Sequence, residues 1–281
     1  MDIWRAVWLT QFIMMFIINA FTLVVFVRSR HLLRRNTYLM MNLIVADLLI
    51  AAISGPENIL LQKASKRPKK GFGVLHVYLM ISNMCWIASL GNLVLISLER
   101  LHATLYPFKH CLVRKGIYHK IIIFSWFGAL TLACGLQISR MIDVPLADRY
   151  PWVIYICLTL AVLITSYVII MSKFIRKAHV QQLGSAERKL SGTLFIISAA
   201  STLTLLPWVI IICIAISSDR YLWIKFTPMK IASTFYHLNS ILNPVIYAIR
   251  LPGFWRPLKE VFCKNTSCPV RWDQPIELQA M

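Results

Sequence analysis

Acidic side chains are scarce in this chain of 281 residues: 11 Asp and Glu stand against 30 Lys and Arg, a formal charge of +19, and all charged residues together make up only 15%. A water-soluble domain carries about 25% charged and about 45–50% apolar residues. Here the apolar share is 58%, which excludes intrinsic disorder and points to a membrane protein. Cysteine is also sparse, with 7 residues spread over the whole length, so a disulfide scaffold is excluded. There is no His/Glu metal motif, no Gly-rich phosphate loop and no nucleophile elbow, and the chain is not expected to be an enzyme. Internal repeats and low-complexity segments are absent too. The excess of positive charge fits either nucleic acid or basic loops facing an anionic membrane leaflet, and its location decides between them.

Long apolar runs are what the sequence does have. A helix needs about 20 such residues to span a bilayer, and seven runs qualify, near 4–27, 38–59, 75–98, 120–138, 152–171, 190–216 and 230–249. Gly55, Pro56, Gly91, Gly128, Gly135, Pro207 and Pro244 fall inside them; neighbouring helices can satisfy the backbone groups that such residues free, so they read as kinks. The first run begins close to Met1 without a basic leader or a small-residue cleavage site and is expected to be an anchor with little ectodomain before it. Assigning Lys and Arg to alternate sides puts 11 on the side of the amino terminus and 19 on the other. The positive-inside rule then places the amino terminus outside and the carboxyl terminus in the cytoplasm. The charge therefore orients helices and meets lipid; it does not signal nucleic acid.

After the last span, Phe254, Leu258, Val261 and Phe262 recur at helical spacing between Arg256, Lys259 and Lys264. That pattern predicts a short amphipathic helix over 254–263 in the membrane interface. Cys263 and Cys268 close it, either as S-palmitoylation sites or as plain cytosolic thiols. Asn265 begins an Asn-Thr-Ser sequon, but on the cytoplasmic side it stays unmodified.

A charge inside an apolar helix costs about 2.5–3.5 kcal/mol on insertion scales, so Asp47 in the second run needs partners. Ser89 in the third run and Asn239, Ser240 and Asn243 in the seventh supply polar groups at similar depth. Several oxygens around one carboxylate suit a hard cation such as Na⁺; the plainer reading is a structural cluster bridged by water.

With these residues in view, the chain resembles the rhodopsin-like (class A) G-protein-coupled receptors from Trp4 to Cys263. Asn19 lies in INAFTLVVFV, Asp47 in LIVAD, and the third run ends SLERLHATLYPF, with Glu99 and Arg100 similar to the family's acidic-Arg-Tyr motif and Pro107 to its second cytoplasmic loop. Trp126, Tyr167 and Pro207 mark the next three helices, and NSILNPVIYAIR carries NPxxY as Asn243, Pro244 and Tyr247. The resemblance implies an all-α seven-transmembrane bundle over 1–263, a cytoplasmic tail over 264–281, residence in the plasma membrane and a heterotrimeric G protein as partner. It also implies a switch in which Glu99 and Glu187 hold Arg100 at rest, the sixth helix swings on Pro207, and Tyr167 and Tyr247 then support Arg100. No cofactor is expected beyond an allosteric Na⁺.

The departures narrow the ligand. Leu75 stands where the family has its bridging Cys, and Cys85, Cys134, Cys157 and Cys213 all fall within spans, so no disulfide is expected. The second extracellular loop, about 139–151, is short, and Thr159 replaces the usual fifth-helix Pro; these three departures resemble the melanocortin, lysophospholipid and cannabinoid receptors. Ser82 occupies the place of the monoamine-pairing Asp and His237 that of the opsin Lys, which disfavours a monoamine or retinal. Leu205 replaces the Trp two residues before Pro207, while Trp208 follows it, and Leu101 replaces the motif's Tyr.

An outward-facing cavity would be lined by Glu57, Asn58, Ser82, Asn83, Trp86, Trp208, Lys230, Ser233, Tyr236 and His237. Polar and aromatic groups among apolar walls are what small-ligand sites look like. Glu57 reads either as a partner for a ligand cation or as half of an internal pair with Lys230 or His237. The first extracellular loop, with Lys63, Lys66, Arg67, Lys69 and Lys70 and no acid, is either a solvated basic run or a recruiter of anionic ligands. A contrasting reading is a seven-span transporter or channel with an ion path through Asp47, Glu57 and His237.

Overall fold

The computed structural model describes residues 3–28, 37–65, 74–141, 149–179, 199–214, 227–250 and Phe254. Its elements are α1 (Ile3–Arg28), α2 (Thr37–Ser65), α3 (Val74–Leu105), a short α4 (Pro107–Cys111), α5 (Lys115–Met141) and α6 (Arg149–His179), followed by α7 (Ala199–Ile214) and α8 (Thr227–Arg250). Of these, α1, α2, α3, α5 and α6 are long and apolar enough to cross a membrane. With α7 and α8 they form the seven-helix bundle that the apolar runs predict.

The helices outrun the hydropathy that announces them. The 32 residues of α3 extend ~48 Å at ~1.5 Å each, against ~30 Å of hydrocarbon. The helix is therefore longer than the apolar layer is thick, and Glu99 and Arg100 lie in its last two turns. Likewise α2 runs on through Gly55 and Pro56 to Ser65, so Lys63, read from sequence as part of a loop, is helical. The element missing from the sequence reading is α4, which starts on Pro107 directly after the Tyr106 N–H donates to the His102 carbonyl at 2.9 Å. Proline suits a first helical position because its φ is preset and its absent N–H would have had no helical partner.

At the centre of the bundle, α3 packs against α2, α5 and α6, while α1 packs against α2 and α8. Gly91 is what lets α6 come close: a Cβ there would stand 3.2 Å from the Tyr155 hydroxyl, which itself donates to the Ile87 carbonyl at 2.7 Å. The opposite faces are apolar yet uncovered. On α5, Ile123, Phe124 and Phe127 are 69%, 78% and 66% exposed, a patch that water would not tolerate and lipid does.

Polar ties join the spans where packing alone is nonspecific. Trp126 Nε1 donates to Asn42 Oδ1 at 2.9 Å, Asn42 Nδ2 donates to Asn92 Oδ1 at 2.6 Å, and Asn92 Nδ2 donates to the Ala88 carbonyl at 2.8 Å. This chain ties α5 to α2 and α3. Trp126→Phe should remove one link and lower bundle stability by about 1 kcal/mol, as interhelical hydrogen bonds in membranes usually contribute; thermal unfolding in detergent measures it, and an unchanged Tm would show that the tie contributes nothing. Beyond α8, Phe254 is fully buried and meets Phe26 of α1 edge-on at 6.1 Å. The rest of the expected interfacial helix 254–263, the tail 264–281, Glu187, Cys263 and Cys268 lie outside the described residues.

Candidate functional site

Three polar centres lie at successive depths. The deepest in the bundle is Asp47, fully buried on α2. Ser89 of α3 donates to its Oδ1 at 2.7 Å, while Oδ2 has no hydrogen-bond partner. Ser240 and Asn243 of α8 face the same carboxylate without closing full hydrogen bonds to it. Asn19 of α1 donates to the Ser240 carbonyl at 3.2 Å, and Asn239 accepts a long 3.5 Å contact from Thr204 of α7. The sequence reading named Asp47, Ser89, Asn239, Ser240 and Asn243, and all five are on facing helices here. It left out of this cluster Asn19, whose Oδ1 is buried without a partner. Asn inside an apolar run was the available signal.

In the last two turns of α3, Glu99 and Arg100 form an ion pair, Oε2 to Nε 2.6 Å, with side chains only 9% and 7% exposed. Adjacent residues on a helix point in different directions, so this contact requires the two side chains to bend toward each other. The other oxygen of Glu99 receives what the sequence did not suggest: His110 Nε2 lies 2.8 Å from Oε1, and the Tyr118 hydroxyl donates to it at 3.3 Å. The short α4 is what brings His110 back to α3. Beside this covered carboxylate, Phe108 of α4 and Leu112 just after it are 88% and 81% exposed, with Lys109 Nζ 5.6 Å from the centre of the Tyr106 ring. Tyr167 of α6 is half-buried, Pro244 is buried, and the Tyr247 side chain lies outside the described residues.

The half of the bundle away from Glu99 holds a stack of rings. Trp86 of α3 lies 4.5 Å from Tyr236 and 5.3 Å from His237 of α8, Trp208 of α7 lies 5.6 Å from Tyr236, and Phe12 of α1 lies 4.9 Å from His237. Four of the expected cavity residues are thus brought together, with Phe12 added from a helix the sequence reading left out. Asn83 stands on the same helix as Trp86, its Nδ2 buried and unpartnered. Ser82 is turned to Ser54 of α2, the hydroxyls 3.1 Å apart. Lys230 and Ser233 are half-buried on α8, two turns and one turn before His237. The side chains of Glu57 and Asn58 lie outside the described residues, as does the loop carrying Lys66, Arg67, Lys69 and Lys70.

This arrangement, a buried carboxylate at mid-depth, an acid–Arg pair at one end of the central helix and an aromatic cluster toward the other, has counterparts among known proteins. The family model of the 7 transmembrane receptors (rhodopsin family) matches residues 18–145, which run from α1 to beyond the end of α5. Over that stretch the chain is similar to the rhodopsin-like G-protein-coupled receptors. Human neuromedin-U receptor 1 is 19% identical to it over 323 residues, an alignment covering 94% of this chain and 74% of that relative. The matched stretch contains Asp47, the Asn42–Asn92–Trp126 tie and the Glu99–Arg100 pair, so the family resemblance and the best-defined polar geometry fall on the same residues.

Proposed function

We propose that the receptor turns binding of an extracellular ligand in the outer half of the bundle into guanine-nucleotide exchange on a heterotrimeric G protein at the end of α3. The observation that supports this best is the Glu99–Arg100 pair: a cation held by one carboxylate, nearly sealed from water, beside the exposed apolar side chains of Phe108 and Leu112. A sealed ion pair broken on one side leaves a charge uncompensated, so the pair favours one packing until a partner supplies a substitute. Ligand binding shifts the population by its preference for the other packing. In that packing α7 moves outward on Pro207, Arg100 is uncovered, and Tyr167 and Tyr247 support it; Glu187 completes the resting latch. Phe108 and Leu112 give the G protein an apolar seat next to Arg100. In this orientation the amino terminus is outside, the carboxyl terminus is in the cytoplasm of a plasma-membrane protein, Cys263 and Cys268 are palmitoylated, and the basic inner loops lie against anionic lipid. Nucleotide exchange on purified G protein tests the reading; ion flux through the protein without exchange would favour the transporter instead.

The Asp47 centre fits an allosteric Na⁺. Asp47 Oδ2, Asn19 Oδ1 and Ser240 Oγ are buried oxygens left without partners, and an oxygen-only donor set with one formal charge matches a hard monovalent cation. Sodium chloride should raise the Tm of the purified receptor more than choline chloride at equal ionic strength, and Asp47→Asn should abolish the difference. Equal effects of the two salts on the unaltered receptor would remove the sodium site.

A further inference from the structure

The outer half of the bundle keeps an excess of hydrogen-bond donors. Trp8 Nε1 of α1, Trp208 Nε1 of α7 and Asn83 Nδ2 of α3 are buried with no partner, as are the Tyr236 hydroxyl and His237 Nδ1 of α8. An indole N–H donates and never accepts. Against these donors, the fixed acceptors left unpartnered among the described residues on this side are Gln11 Oε1, whose orientation is set because Gln11 Nε2 donates to the Thr234 carbonyl at 3.1 Å, and Gln137 Oε1 of α5, whose Nε2 lies 2.6 Å from His76 Nδ1 near the start of α3. Tyr236 and His237 can serve either way. Buried donors without acceptors are costly, and a ligand that brings acceptors relieves that cost.

The charges point the same way. Among the described side chains the carboxylates are Asp47 and Glu99; the first is engaged by Ser89 at mid-depth and the second by Arg100 at the far end of α3. Neither can meet a ligand at the ring stack. Lys230 lies two turns above His237 on α8, and in the sequence Lys63 near the end of α2 is followed by Lys66, Arg67, Lys69 and Lys70. The rings themselves could favour a cation through their faces, but a cation would need Glu57 as its counter-charge.

We infer that the ligand of this receptor is an acidic amphiphile: an apolar body that lies against the Trp86–Tyr236–Trp208 stack and an anionic, acceptor-bearing head that takes the indole and phenol donors, with Lys230 as its counter-ion. The inference rests on the reading of the chain as a ligand-activated receptor. Trp208 matters most, because it joins the donor set to α7, the helix that moves.

The test is fluorine NMR of the full-length receptor labelled with fluorotryptophan in zwitterionic nanodiscs, with the Trp208 resonance assigned through Trp208→Phe. Three probes on one skeleton are titrated at neutral pH: phenylbutyrate, its amide and phenylbutylamine. Phenylbutyrate should move the Trp208 resonance at about a tenfold lower concentration than the amine, equivalent to about 1.4 kcal/mol, with the amide between them. Lys230→Gln should remove the acid's advantage over the amide, and Glu57→Gln should leave it intact. A second arm adds phosphatidylserine to the disc with no probe: the same movement of Trp208 would identify the bilayer as the source of the acid, and a still resonance would identify a free ligand. The inference is overturned if the amine acts at lower concentration than the acid, if none of the three moves Trp208, or if Glu57→Gln abolishes the response. Basal nucleotide exchange, recorded separately without probe, reports on the receptor reading itself, so the two can fail independently.

Discussion

Arg100→Ala should sharply reduce stimulated nucleotide exchange while leaving the receptor folded. In the proposed switch the guanidinium is the cation that the resting state hides and the active state offers, and losing one partner of a desolvated charge contact costs about 2–5 kcal/mol at an interface. At about 1.4 kcal/mol per tenfold, exchange should fall at least roughly thirtyfold. The fold should survive, because Glu99 keeps His110 at 2.8 Å and the Tyr118 hydroxyl at 3.3 Å when Arg100 is gone. Arg100→Lys should restore only part of the activity: it keeps the charge but loses the planar fork that can bind two acceptors at once. Exchange on purified G protein, read beside the Tm of each variant, separates lost coupling from lost folding. A folded Arg100→Ala receptor with full exchange would remove Arg100 from the coupling machinery.

The second large effect has the opposite sign. Glu99→Gln should raise basal exchange, since the amide carbonyl still accepts from Tyr118 while the charge that holds Arg100 is removed. A change of about 1–2 kcal/mol in the resting-to-active balance is a factor of roughly 5–30 in population, and ligand-free exchange should rise by that order. The double substitution Glu99→Gln with Arg100→Ala should be silent again, because nothing remains to be released. Unchanged basal exchange in Glu99→Gln would show that the 2.6 Å pair is a structural contact and not a latch.

How much of this was legible in the sequence depends on the kind of signal each part leaves. Long apolar runs announced the spans, and Asp47 announced the mid-depth centre because a carboxylate in such a run has few alternatives to a polar cluster. Helix ends were less visible: α3 continues to Leu105 and α2 to Ser65 because backbone hydrogen bonding does not stop where hydropathy does. The short α4 left only Pro107 as a trace, and the contacts of His110 and Tyr118 with Glu99 depend on how α4 folds back, which no local pattern encodes. Asn42 and Asn92 could have been found by the argument applied to Asp47, extended to amides. Phe12 and Trp8 could not, since on α1 an aromatic facing a ring stack reads the same as one facing lipid.

The central claim is that this bundle catalyses nucleotide exchange through the uncovered end of α3. The most direct measurement is the rate of guanine-nucleotide exchange on a purified heterotrimer by the receptor in nanodiscs, comparing the unaltered chain, Glu99→Gln and Arg100→Ala, with ion flux recorded in parallel in proteoliposomes. The account predicts exchange above the G protein's own rate for the unaltered chain, a higher rate for Glu99→Gln, none above background for Arg100→Ala, and no flux from any of them. Flux that depends on Asp47, with exchange at background in all three, would contradict it.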